Sequence, residues 1–256
     1  MRNLPGARLL IAAMMLAAGQ ASAQSSPELA EMYARGNYMA VASVAEASAG
    51  ADDLAFAARA LLAHCMTGTE EPDPTILDRA SNDAEAALRI NPVHDEGRLQ
   101  LAIALSLKSR SMDVMDAWNA GYGEKGRRLA TDVLKSAPTN YYAHGFLAVW
   151  NVEVRRRGGS LGAAFMGASL KEARRHYEEA IRLAPDNIGI HWAYGRALIA
   201  LNAKDYSREA GKALSRAIDA PAGDHVEHVM QDRARTLAEL LKTDRKAAQT
   251  LARKTL

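Results

Sequence analysis

The sequence predicts an all-α protein, an array of helix pairs on an extended repeat of 46–47 residues. Three observations predict it. The segments Ala80–Pro92, Gly126–Pro138 and Ala173–Pro185 share one pattern: a small residue first, apolar or aromatic and then small or β-branched residues four and seven positions later, and proline at the twelfth. That spacing lies along one helix face. The proline has no N–H to continue the helix and marks its stop. A second apolar, helix-periodic stretch follows each proline: "VHDEGRLQLAIALSL", "TNYYAHGFLAVWNVEV" and "DNIGIHWAYGRALIAL". Finally, 46 residues separate Pro92 from Pro138, and 47 separate Pro138 from Pro185.

The N-terminus comes first in chain order. Arg2 and Arg8 flank the start of an uncharged run, Leu9–Ala18, and Ala21-Ser22-Ala23 supplies small residues before Gln24. This is the order of a cleavable secretory signal peptide, so residues 1–23 are expected to be removed. The run is too short to span a bilayer, and no cysteine stands where a lipid anchor would attach. The expected product is a periplasmic helical domain, residues 24–256, without a stable membrane anchor. Removing the two arginines leaves thirty basic residues against thirty acidic ones. That balance argues against nucleic acid as a partner. Cys65 is the single cysteine. It excludes an intrachain disulfide and a multi-cysteine metal site, and its apolar helical surroundings predict a packing role.

Near the mature N-terminus, "RGNYMAV" resembles the Gly-x-Tyr turn between the two helices of a tetratricopeptide repeat. In the third repeat, Ala173, Tyr177, Ala180, Ile181 and Pro185 resemble the second helix of the tetratricopeptide repeat, and Gly195 falls on that family's first-helix glycine. A looser copy, Ala210, Leu214, Ala217 and Ile218, closes with Pro221 one position early. The resemblance covers roughly residues 27–221. Around "KEARRHYEEAI" and His191-x3-Gly195-Arg196 the chain also looks like the repeat region of the regulators of microtubule dynamics and their bacterial exported relatives. These resemblances imply a right-handed α–α superhelix, a TPR-like solenoid, with a concave binding face and no known catalysis.

The family unit is about 34 residues, so about a dozen extra residues sit between the helices of each long repeat. They fall at "SRSMDVMDAWNAGYGEK" and "RRRGGSLGAAFMGASLK". A shift of 47 lays one on the other and pairs Trp118 with Phe165. The insertions therefore belong to the repeat. A three-helix armadillo or HEAT array, in which each insertion is a short third helix, is the alternative architecture.

The second insertion carries two near-motifs. Gly162-x4-Gly167-Ala168-Ser169 resembles a P-loop without its lysine, and Gly158-Gly-Ser160-Leu-Gly162 fits a nucleophile elbow. Both motifs need a preceding strand; a helix and three arginines precede these. The expectation is no enzyme, no catalytic residue and no cofactor. Ser160 is instead expected to cap a short helix, with Phe165 and Met166 against the neighbouring repeat. Arg155, Arg156 and Arg157 suit a helix C-terminus or, joined by Arg174 and Arg175, an anion or acidic-partner patch. Asp224, His225 and His228 lie within one turn, yet acids near a helix start are ordinary caps, and no metal site is expected. His144 and His191, 47 apart, are expected as packing residues with satisfied N–H groups.

The concave face would be lined by Leu99 and Ile103, by Tyr142, Val149 and Glu153, and by Trp192, Arg196 and Ile199. The residues expected to bind a partner are Tyr142, Glu153, Trp192, Arg196, Arg155 and Arg156, with Trp118 and Phe165 on the insertions. The expected function is a scaffold for a protein or peptide partner, as an adaptor or assembly factor. The alternative is a periplasmic small-ligand or metal-binding component associated with transport.

Overall fold

The computed structural model describes residues 26–68 and 71–255. The expected signal peptide lies outside the described residues. Among these the chain is all helical, without a strand. The first helices are α1 (Pro27–Ala34), α2 (Tyr38–Ser48), α3 (Ala51–Thr67), α4 (Pro74–Ile90) and α5 (Asp95–Arg110). The middle of the chain forms α6 (Val114–Asn119), α7 (Tyr122–Ser136), α8 (Tyr141–Met166) and α9 (Leu170–Leu183). Four more follow: α10 (Ile188–Asn202), α11 (Ser207–Asp219), α12 (His225–Thr243) and α13 (Arg245–Lys254).

Each expected helix stop falls where the proline puts it, and the local chemistry after it repeats. Two residues beyond each proline a side chain caps the next helix. His94 Nδ1 accepts from the Gly97 N–H, Asn140 Oδ1 from Ala143 and Asn187 Oδ1 from Ile190. Such caps satisfy N–H groups that lack an intrahelical partner. Six residues beyond each proline a side chain donates to the proline carbonyl itself: Arg98 to Pro92, His144 to Pro138 and His191 to Pro185. A 46–47-residue sequence period thus appears as a period in hydrogen bonding. The "RGNYMAV" turn also forms, with Gly36 at φ 85 between α1 and α2.

Packing follows chain order from α2 through α5, then α7 to α9 and α10 to α12. A second series of contacts joins α3 with α5, α5 with α8, α8 with α10 and α10 with α12. Helix α12 then returns to α1 and α3. Val226 on α12 sits in the N-terminal apolar cluster, while Met230 packs on both that cluster and the C-terminal one. Arg233 donates to the Met66 carbonyl and, at 2.6 Å, to the Gly68 carbonyl, so it caps the end of α3. The first and last parts of the array are therefore joined through α12.

The core is rich in fully buried alanine, including Ala57, Ala60, Ala173, Ala180, Ala210 and Ala217. Short side chains let helix axes approach. Closest is Gly145 on α8, where an added Cβ would lie 2.8 Å from Ile190 Cγ1 on α10. At Gly195 on α10 an added Cβ would lie 3.1 Å from Leu214 Cδ2.

Candidate interaction site

The insertions take different helical forms. The first is α6, a single short helix started by Asp113, whose carboxylate accepts from the Asp116 N–H at 2.8 Å. The second continues α8 across a break at Gly159, with φ 64 and ψ −159, and ends at Gly167 in the left-handed conformation, φ 66. The break comes at the residue before Ser160. A non-glycine residue at that φ would be strained.

Trp118 and Phe165 meet, with ring centroids 5.0 Å apart and planes at 61°. Phe165 does not tuck against the neighbouring repeat: it is 77% exposed, and Trp118, the other insertion residue expected at the site, is 46% exposed. Val114 and Met115 stand four and three residues before Trp118 on α6, and Leu161 four before Phe165. All three are exposed, Leu161 at 87%. Residues at those spacings share a helix face. The two insertions therefore present a single apolar patch, bridged by the Trp118–Phe165 contact. Beneath it, Trp150 is buried, donates to the Gly123 carbonyl at 2.8 Å, and lies under the Arg127 guanidinium.

The expected concave-face residues sit elsewhere. Trp192 and Arg196 are 2% and 5% exposed and Ile199 is fully buried; none of them offers surface to a partner. Helix α10 is packed by α8, α11, α12 and α13, and α13 lies over Arg196. Its last turn is tied to α10 by reciprocal caps: Arg196 donates to the Ala252 carbonyl at 3.0 Å and Arg253 to the Ala200 carbonyl at 3.0 Å. Glu153 accepts from Arg196 at 2.9 Å and from Arg156 at 2.7 Å. Burial alone would raise its carboxyl, but the two guanidiniums outweigh that and hold it at about 2. Arg155 is half-buried on α8. Of the expected groove residues, Tyr142 keeps the most surface, 45% exposed beside Tyr141.

The arginines are also regrouped. Arg174 on α9 pairs with Glu209 on α11, and Arg175 pairs with Glu172 on α9. They do not join Arg155–Arg157. The residues that do approach Arg156 and Arg157 are Arg110 and Arg196; of these, sequence reading left out Arg110, because α5 is far away in the chain.

The histidines are internal fasteners. His191 Nε2–H donates to Pro185, leaving Nδ1 to accept from Tyr177 Oη at 2.8 Å. His144 Nε2–H donates to Pro138, so its Nδ1 accepts from His176 Nδ1–H at 2.9 Å. His176 Nε2 in turn accepts from the Arg175 guanidinium. Burial, with Arg175 and His144 adding to it, pushes His176 down to about 4. Asp224 caps α12, His225 lies against Tyr38, and His228 donates to the Asp224 carbonyl. Among the described residues no group of three or more side chains could hold a metal ion, and no helix is long and apolar enough to cross a membrane.

No family model matches the chain, and no curated protein matches it.

Proposed function

We propose that the chain is a tetratricopeptide-like scaffold, a right-handed α–α superhelix exported to the periplasm, that binds a protein partner through its paired insertions. One observation carries the reading. Two insertions 47 residues apart converge so that Trp118 and Phe165 touch while staying exposed. Exposed contiguous apolar surface on a water-soluble fold marks an interaction site, and aromatic anchors dominate binding energy at such sites. The recurring caps after Pro92, Pro138 and Pro185 support the repeat reading. The working surface in this proposal is the insertion patch, because Trp192 and Arg196 are buried.

The partner chemistry that fits is an apolar or amphipathic helix laid across α6 and the end of α8. A photo-crosslinking residue at Leu161 should trap a discrete protein in cells. The same residue at Val44, exposed on α2, should not. Trp118→Ser with Phe165→Ser should abolish the adduct and leave helical content unchanged. Equal trapping at Val44, or flotation of the protein with phosphatidylglycerol vesicles in place of a protein adduct, would sink the protein-partner reading.

A further inference from the structure

Several surface arginines stand opposite one carboxylate each, as in Arg174–Glu209, Arg175–Glu172 and Arg182–Glu179. One region departs from that pairing. Where the ends of α5, α10 and α13 meet the middle of α8, four guanidiniums gather: Arg110, Arg156, Arg157 and Arg196. Glu153 is the carboxylate among them, and Asp113 lies beside Arg157 at the edge. The carbonyl ends of α5 and α13 add partial negative charge, roughly half an elementary charge each. Among the described residues positive charge remains in excess in a half-buried place, where arginine cannot relieve it by losing its proton.

The hydrogen bonds show where that excess points. Arg196 is used up on Glu153 and the Ala252 carbonyl. Arg157 gives its two terminal nitrogens to the Ser109 and Met112 carbonyls, at 2.7 and 2.8 Å. Arg110 gives only Nη2, to the Thr255 carbonyl at 2.7 Å and the Arg253 carbonyl at 3.3 Å. Arg156 gives only Nε, to Glu153. Among the described residues, Nε and Nη1 of Arg110 and both terminal nitrogens of Arg156 have no acceptor. Each guanidinium carries five N–H donors in a planar fork that fits phosphate and carboxylate oxygens.

We propose that this cluster is an anion site for a small ligand with two or more negative charges, a phosphate or a polycarboxylate, gripped by Arg110 and Arg156. Burial and the neighbouring arginines push the Arg110 guanidinium down to about 9, the mark of a charge short of counter-charge. A dianion supplies it. Because Arg110 and Arg196 also hold the carbonyl end of α13, ligand binding and α13 docking strengthen each other. The site is separate from the insertion patch and does not depend on its role.

The full mature chain should be melted in inorganic phosphate, pyrophosphate and citrate, each against sodium chloride at equal ionic strength. At least one dianion should raise Tm by several degrees and saturate below about 1 mM, since a ligand that binds only the native state stabilises it by mass action. The ranking of phosphate against citrate identifies the source chemistry. Arg110→Gln should weaken the effect at least tenfold. Arg156→Gln, which alters the other partner, should do the same and keeps the test alive if Arg110→Gln unfolds. Arg174→Gln, an equal charge change at a paired surface arginine, should leave the response intact. A rise no larger than chloride gives, or a full response from Arg156→Gln, would overturn the proposal.

Discussion

At the residue scale, the clearest anomaly is Asp83 on α4, whose Oδ2 is buried without a hydrogen-bond partner. The neighbouring Glu46 is held by a bidentate Arg79, at 2.5 and 2.6 Å. Burial first, and the Glu46 carboxylate second, raise the Asp83 carboxyl to about 7. An Asp83 that keeps its proton can donate it to Glu46, which accounts for the orphan oxygen. The folded protein then holds a proton that the unfolded chain releases near pH 4, so this term lowers stability as pH rises from about 4 to 7. His176, held at about 4, acts oppositely between about pH 4 and 6.5 and partly masks it. Asp83→Asn keeps the donor and removes the titration. It should stabilise by about 1–2 kcal/mol at pH 8, after allowance for solvent screening, and by almost nothing at pH 4. Urea unfolding of both proteins across that range measures the difference. A pH-independent difference would rule out the shared proton. Nothing in the sequence marks this pair, because Glu46 and Asp83 belong to different helices.

At the element scale, two glycines on α8 predict opposite outcomes for one substitution. At Gly145, alanine gains helix propensity of about 1 kcal/mol but places its methyl 2.8 Å from Ile190. Overpacking a tight helix contact costs about 1–3 kcal/mol, so Gly145→Ala should lower stability on balance. At Gly162 an added Cβ meets nothing within 4 Å, and Gly162→Ala should raise stability by up to about 1 kcal/mol. Thermal unfolding of the two variants checks the signs. The element plan was largely legible: the helix stops at Pro92, Pro138 and Pro185, the turn at Gly36 and the close approach at Gly195 all follow from local chemistry. The insertions were legible as repeated, but their meeting at the surface was not. Trp118 and Phe165 have the composition of a core, and exposure is a property of what lies opposite them.

At the scale of the whole molecule, α12 is the element that joins the two ends of the array. Arg233→Ala removes the cap it gives to α3 and should cost about 1–2 kcal/mol. The loss should be local at first, with faster hydrogen exchange in α1, α2 and the start of α12 than in α8–α10. Uniform acceleration would mean that the seam is not a separate opening unit. The same closure explains where sequence reading of the site failed. Trp192, Arg196 and Ile199 carry the spacing of an exposed inner face, and nothing local distinguishes that face from a covered one. By itself, the sequence determined the helices, their caps, their stops and their period, because backbone hydrogen bonding and proline act over a few residues. Only the tertiary structure decided that α13 docks on α10 over Arg196, that Arg110 joins Arg156, and that the two insertions form one exposed patch. Those outcomes depend on burial and charge among groups from distant parts of the chain, which come together only when the array packs.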